Sequence, residues 1–202
     1  EASGQLIALD PASGATTATT DVGANPRHLS INHDASKVYV SRFITPPVTG
    51  ESTTTPDPGT GEGGEVVVVT TADMQVANTI TLQLSTRPDD TDMARGLPNY
   101  IGPAAISPDG TSAWVASKQD NIQRGSGRDG NPLTHDNTLR SITSRIDLIA
   151  GVEDQAARID HDYAGVASTS IFGRFGAFVF SALEGSRNVA IIDAFNGAEI
   201  GR

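Results

Sequence analysis

Cysteine does not occur anywhere in the 202 residues. Its absence excludes a disulfide framework, a thiolate nucleophile, a cysteine-ligated zinc or iron–sulfur centre and covalently attached c-type haem. Basic side chains are scarce: 14 Lys and Arg against 24 Asp and Glu leave a formal net charge of −10. Nucleic acids and anionic membrane surfaces demand a cationic footprint, so neither is expected as a partner. No apolar run approaches the roughly 20 residues of a membrane-spanning helix. Helical periodicity is missing too, since apolar residues nowhere keep helical spacing across three turns. There is no GxSxG nucleophile elbow and no HExxH metal pair. The glycine-rich run Gly59-Thr60-Gly61-Glu62-Gly63-Gly64 lacks the lysine of a phosphate cradle.

What is present is short, alternating and β-branched. Gln5–Leu9, Lys37–Val40, Val66–Val69, Ala113–Val115, Ala177–Phe180 and Val189–Ile192 are each bounded by Gly, Pro, Asp or Asn. Such runs with turn punctuation predict an all-β protein. They also repeat. Asn25–Val40 aligns with Ile101–Val115, and a weaker copy runs from Ala167 to Phe180. In each, a strand ends in a tight turn and returns as a strand with an aromatic residue beside or near valine. A third strand follows (Val66–Val69, Ser144–Leu148, Val189–Ile192) and then a fourth (Val76–Leu82, Ala156–Ile159, Ala198–Ile200). The turn Ser107-Pro108-Asp109-Gly110 shows the logic: proline presets φ, aspartate bonds its own backbone and glycine accepts positive φ. One four-stranded sheet cannot bury both its faces, so repeated units must stack, and radial stacking makes a propeller.

The Ser107–Gly110 turn leading into Ala113-Trp114-Val115 resembles the YVTN-type β-propeller repeats of secreted bacterial proteins. So do Lys37-Val38-Tyr39-Val40 followed by Val66–Val69, and Asn188–Asp193 followed by Asn196-Gly197. Ser117–Gly125 further resembles propellers that accompany di-haem cytochrome c peroxidase-like modules. The resemblance implies a seven- or eight-bladed, extracytoplasmic propeller (periplasmic, cell-surface or secreted) that serves as a binding platform. The repeat count predicts about three and a half four-stranded antiparallel blades: a half blade over 4–22 and blades over 23–84, 100–163 and 167–202. Closed propellers need about four to eight. Part of a larger ring is therefore expected, its remaining blades supplied by the same or another chain.

Three excursions interrupt the repeats. Residues 44–64 are rich in Thr, Pro and Gly, which favours a surface loop over a core element. Residues 85–99 join two units, and 117–143 mix arginines with aspartates. The first and third sit between the second and third strands of a unit, so both are expected on one face, a usual place for binding loops. In the third, Lys118, Asp120, Asn121, Arg124 and Arg128 are candidate partner-binding residues. The acidic loops point to calcium as the candidate metal, through Asp89, Asp90, Asp92, Asp129 and Asn131, although neither loop has a full EF-hand spacing. The histidines, His28, His33, His135 and His161, form no HxH or HxxxH pair, so only convergence across blades could make them ligands. Ile31, Val38, Val40, Ile106, Trp114, Val115, Phe178, Phe180, Ile191 and Ile192 are the expected core. No catalytic residue and no resident cofactor is expected. The functional expectation is a non-catalytic scaffold presenting loops to a protein, polysaccharide or redox partner. The alternative is the propeller part of a cytochrome c peroxidase-like oxidoreductase assembly whose haem lies outside this chain.

Overall fold

The computed structural model describes residues 4–45, 63–85, 87–88, 90–120 and 138–202. They form a series of antiparallel sheets. The first sheet is a pair, β1 (Gln5–Leu9) and β2 (Thr16–Asp21). The second runs β3 (Pro26–Ile31), β4 (Lys37–Arg42), β5 (Gly63–Thr70), β6 (Val76–Gln83), each strand paired with the next. In the third, β7 (Leu97–Asn99) and β8 (Ala104–Ile106) together make one broken edge strand against β9 (Ser112–Asp120). That sheet continues through β10 (Leu139–Asp147) to β11 (Val152–His161). The fourth is β12 (Ala167–Phe172), β13 (Phe178–Leu183), β14 (Asn188–Asp193), β15 (Glu199–Gly201), with a single 3-10 turn at Glu184–Ser186. No helix of the described residues is long and apolar enough to cross a membrane.

The turns repeat as the strands do. Asp10, Asp147 and Asp193 each accept backbone N–H bonds from residues two and three positions on, at 2.7 to 3.2 Å. Four residues after each comes a glycine with φ near +70° (Gly14, Gly151, Gly197) whose N–H returns to the aspartate carbonyl. The aspartate seeds the turn, and glycine takes the left-handed position that a side chain resists. In the second sheet Met74 holds that position at φ +55°.

Burial on both faces explains Val66-Val67-Val68-Val69. Val66 and Val68 pack with Tyr39, Ile80, Leu82 and the third sheet's Ala113, Val115 and Ile146. Val67 and Val69 pack with Val40 and with Leu6 and Val22 of the first sheet. A strand covered on both sides loses its polar alternation and reads as one apolar run. Trp114 turns the other way, onto Val179, Ile192 and Ala194 of the fourth sheet, and is fully buried.

Three expectations need correction. Ile31 and Phe178 are 56% and 42% exposed rather than core, because each lies on a sheet face with no full neighbour. Strand β9 runs through Ser117–Asp120 and β10 opens at Leu139, so both ends of the excursion expected over 117–143 are strand. Within 85–99, Leu97–Asn99 is strand as well.

Candidate functional site

Strand polarity puts the β4–β5 and β9–β10 connections at one end of the sheets, together with the sheet-to-sheet connection at 84–96. The roots of both insertions meet there. Thr45 donates its N–H to Asn99 Oδ1 at 3.0 Å and its hydroxyl to the Pro98 carbonyl at 2.5 Å. Asn99 Nδ2 donates to Asp120 Oδ2 at 2.9 Å. Asn99 thus ties the residue where one insertion departs to the residue where the other departs.

Beside this tie the rings of Phe43 and Tyr100 stack, centroids 4.7 Å apart and planes 15° from parallel. Each ring carries a cation 4.0 Å from its centroid: the Arg27 guanidinium over Phe43 and the Lys118 ammonium over Tyr100. His28 meets Phe43 edge-on at 6.1 Å. Lys118 also pairs with Asp120 at 3.0 Å. The stack depends on backbone geometry, because Tyr100 sits at φ +53° with its N–H held by Asn99 Oδ1 at 2.9 Å. The Ile101 N–H then donates to the Phe43 carbonyl, joining the second and third sheets. Tyr100 is 39% exposed. Neither its hydroxyl nor the Arg27 guanidinium hydrogen-bonds another described residue. Cations over ring faces and a free phenol are what a partner surface uses.

Behind this rim lies a buried ionic network. Arg158 reaches both oxygens of Glu153 (2.7 Å), Gln119 Oε1 (3.0 Å) and the Gln83 carbonyl (2.6 Å), while Glu153 accepts the Gln83 N–H at 2.7 Å. Arg158 comes from an irregular stretch where β11 slips register against β10. Nearer the end face, Arg140 pairs with Asp160 at 3.1 Å and bonds the Thr91 carbonyl at 3.0 Å. Burial pushes the Asp160 carboxyl above its ordinary range, although Arg140 and the Ala94 N–H pull the other way.

A third chain crosses from the third sheet to the fourth. Glu199 Oε2 lies 2.5 Å from His161 Nδ1, His161 Nε2 lies 2.7 Å from Thr143 Oγ1, and Thr143 Oγ1 lies 3.1 Å from Ser181 Oγ. Ser181 continues to Ser170 at 2.7 Å. The acid–imidazole–hydroxyl order is that of a nucleophilic triad. Here the hydroxyls of Thr143 and Ser181 are fully buried and His161 is 1% exposed, so no substrate reaches them. This chain is a seam between sheets.

Of the residues singled out from sequence, Lys118 and Asp120 come together at the rim. Asn121, Arg124 and Arg128, the calcium candidates Asp89, Asp129 and Asn131, and His135 lie outside the described residues. Asp90 accepts the Thr91 N–H at 2.7 Å, and Asp92 is exposed. Among the described residues no three His, Cys, Asp or Glu side chains gather as a metal site. Nothing in the sequence singles out Arg27; the one signal for Phe43 and Tyr100 is that two of the few aromatic residues flank the 44–64 insertion and the turn before Ile101.

No known protein-family profile matches the chain, and no curated protein matches it. Solved structures do. The Dos1 propeller aligns with 96% of this chain at 10% identity and a TM-score of 0.51. The periplasmic gluconolactonase of Pseudomonas aeruginosa aligns with 96% at 18% identity and 0.53. A candidate 6-phosphogluconolactonase of Bacteroides uniformis aligns with 98% at 11% identity and 0.54. The chain spans 41%, 46% and 47% of these three structures respectively, less than half of each. At such identity the likeness shows the fold alone: the sheets are blades of a β-propeller.

Proposed function

We propose that this chain is the partner-binding part of an extracytoplasmic propeller scaffold, with the Arg27–Phe43–Tyr100–Lys118 stack as its recognition surface. The carrying observation is that two cation-bearing aromatic rings stand where both blade insertions depart, tied together through Asn99. On a chain of net charge −10, this local pair of cations suits an acidic or aromatic segment of a protein partner. The extracytoplasmic setting is supported by the YVTN-type resemblance and by the fold shared with a periplasmic gluconolactonase.

Further blades, from the same or another chain, complete the ring in this reading. Support comes from the two outermost sheet faces. Ile7 and Leu9 of the first sheet at one end, and Ile171, Val189 and Ile200 of the fourth at the other, are 49% to 62% exposed on faces built like those that pack inside the stack. Seven or eight blades in all fit the resemblance. The alternative reading, an oxidoreductase assembly, uses the same rim to receive a haem-bearing module, since Lys118 and Asp120 belong to the segment that resembles such propellers.

Quantitative affinity capture from the native host tests the reading, comparing wild type with an Arg27→Ala, Tyr100→Ala, Lys118→Ala triple variant. The expected result is one saturable partner lost at least roughly tenfold in the variant, with the circular dichroism unchanged. A haem protein as that partner selects the alternative. Turnover of gluconolactone by wild type, abolished in the variant, would overturn the non-catalytic reading.

A further inference from the structure

The opposite end of the blades carries a different feature. Between the third and fourth sheets opens a cleft of about 260 Å³, lined by the turn Ser107–Ser112, by Arg145 and by Phe172, Phe175 and Phe195. It stands apart from the rim and does not depend on the function proposed for it.

Register identifies Arg145 as an exception. Strand β10 pairs with β9 as β5 pairs with β4 and β14 with β13, so Arg145 opposite Trp114 corresponds to Val68 opposite Tyr39 and Ile191 opposite Phe180. Two sheets place an aliphatic residue at this position; the third places a guanidinium. Its bonding is incomplete. Nη1 pairs with Asp154 at 3.2 Å, Nε is buried without a partner, and Nη2 bonds no described residue. A guanidinium in a partly buried seam with unspent donors is costly unless something else accepts them.

The remaining lining is equally specific. Asp109 spends one oxygen on its own turn, accepting from Ser107 Oγ at 2.6 Å, Thr111 N–H at 3.1 Å and Thr111 Oγ1 at 2.9 Å, which leaves the other as an acceptor. Phe175 and Phe195 occupy turn tips beside the opening and are 87% and 78% exposed. Large apolar rings held in water at the mouth of one cleft mark a contact surface.

We propose that this cleft binds a single neutral sugar unit. A pyranose offers vicinal hydroxyls, which both donate and accept, and an apolar face of C–H groups. The cleft offers a donor in Arg145, an acceptor in Asp109 and ring faces in Phe175 and Phe195. Charge balance argues against a simple anion, because Asp109 and Asp154 offset Arg145 and the Arg174 guanidinium, which lies 5.5 Å from the Phe175 ring centroid. Size argues against a larger ligand, since about 260 Å³ lies just under the range of pockets for drug-sized molecules.

The test is saturation-transfer NMR and calorimetry with methyl glycosides of glucose, galactose, mannose and N-acetylglucosamine, alongside sodium phosphate and acetate. Wild type is compared with Phe175→Ala, Phe195→Ala and Arg145→Val. Saturable binding of at least one glycoside is expected, weakened roughly tenfold by either phenylalanine variant and lost in Arg145→Val. The two phenylalanine variants alter exposed side chains, so they remain informative if Arg145→Val misfolds. No saturable glycoside binding, preferential binding of phosphate or acetate, or affinity unchanged in both phenylalanine variants would each overturn the proposal.

Discussion

Replacing Arg158 with methionine isolates the buried ion pair between the second and third sheets. Both partners are out of solvent, the Glu153 side chain at 0% and Arg158 at 1%. In wild type Glu153 accepts three bonds from Arg158 and one from the Gln83 N–H. Arg158→Met leaves the carboxylate with the Gln83 N–H alone. A lone buried carboxylate either stays charged at greater cost or takes up a proton. From an ordinary glutamate value near 4.3, protonation at pH 7 costs about 1.36 kcal/mol per unit, or roughly 3.7 kcal/mol. Gln119 Oε1 and the Gln83 carbonyl also lose a donor, adding about 1 kcal/mol each at most. The sum is about 4–6 kcal/mol at pH 7, at the upper end of the range of about 3–5 for breaking a buried pair. Removing both charges, as Arg158→Met with Glu153→Leu, deletes the protonation cost and leaves only unpaired amide groups, the Gln83 N–H now among them, about 3 kcal/mol at most. Urea unfolding of wild type, single and double variants at pH 7 and pH 4.5 reads these differences. The single variant should recover part of its deficit at the lower pH, where neutralising the carboxyl becomes cheap; the double variant should not. A loss under about 1 kcal/mol for Arg158→Met, or a double variant less stable than the single, would refute this account.

The turns, a blade contact and the His161 seam supply three further tests. Ala35 holds φ +56° where its counterparts Gly110 and Gly176 sit at +71°. Ala35→Gly should relieve about 1–2 kcal/mol of left-handed strain against roughly 0.5–1 kcal/mol of glycine entropy, a net gain of about 0.5–1 kcal/mol in urea unfolding. A Cβ on Gly102 would lie 2.5 Å from the Ser168 carbonyl of the fourth sheet and 2.8 Å from that of Ala116. Gly102→Ala should therefore cost about 1–3 kcal/mol, seen as faster amide exchange in β12. Burial raises the Glu199 carboxyl, but hydrogen bonds from His161 and Arg202 outweigh it and hold the group below its usual range. A depressed acid contributes stability above its unfolded pKa and loses it as pH falls through the folded value. The melting temperature should drop as pH falls below about 4.5 in wild type, and less steeply in Glu199→Gln; equal slopes would remove Glu199 from the seam.

Strand alternation and the Ser107–Gly110 turn were enough to read the sheets from sequence, because each depends on neighbours along the chain. The second turn family was harder to see. Asp10, Asp147 and Asp193 carry it with glycine four residues on, but Met74 breaks the pattern in the second sheet, where tertiary packing tolerates a left-handed side chain. Ser117-Lys118-Gln119-Asp120 reads as loop since every residue is polar, yet Ser117 and Gln119 are buried. Gln119 is satisfied by the Ala94 carbonyl and by Arg158, partners far away in sequence. Alternation also cannot say which face of a sheet has a neighbour, which is why Ile31 and Phe178 look like core. The Phe43–Tyr100 stack was illegible for the same reason: its members meet only once two sheets are stacked.

The third sheet departs from the second at matched positions. Where β5 has Val66, Val67 and Val68, β10 has Thr143, Ser144 and Arg145. Apolar seams such as that around Val66 and Val68 gain stability by area, with little to forbid a slip of one sheet over the next. Hydrogen bonds are different because they hold only in one register. Thr143 reaches Ser181 and His161, and His161 reaches Glu199, so the third and fourth sheets are locked in one alignment. That lock also fixes the height of Arg145 relative to the Phe175 and Phe195 turns, and hence the shape of the cleft between them. Polar groups that contribute less to stability than valines would therefore serve position, and the same exchange of valine for threonine, serine and arginine that weakens the core is what builds the cleft.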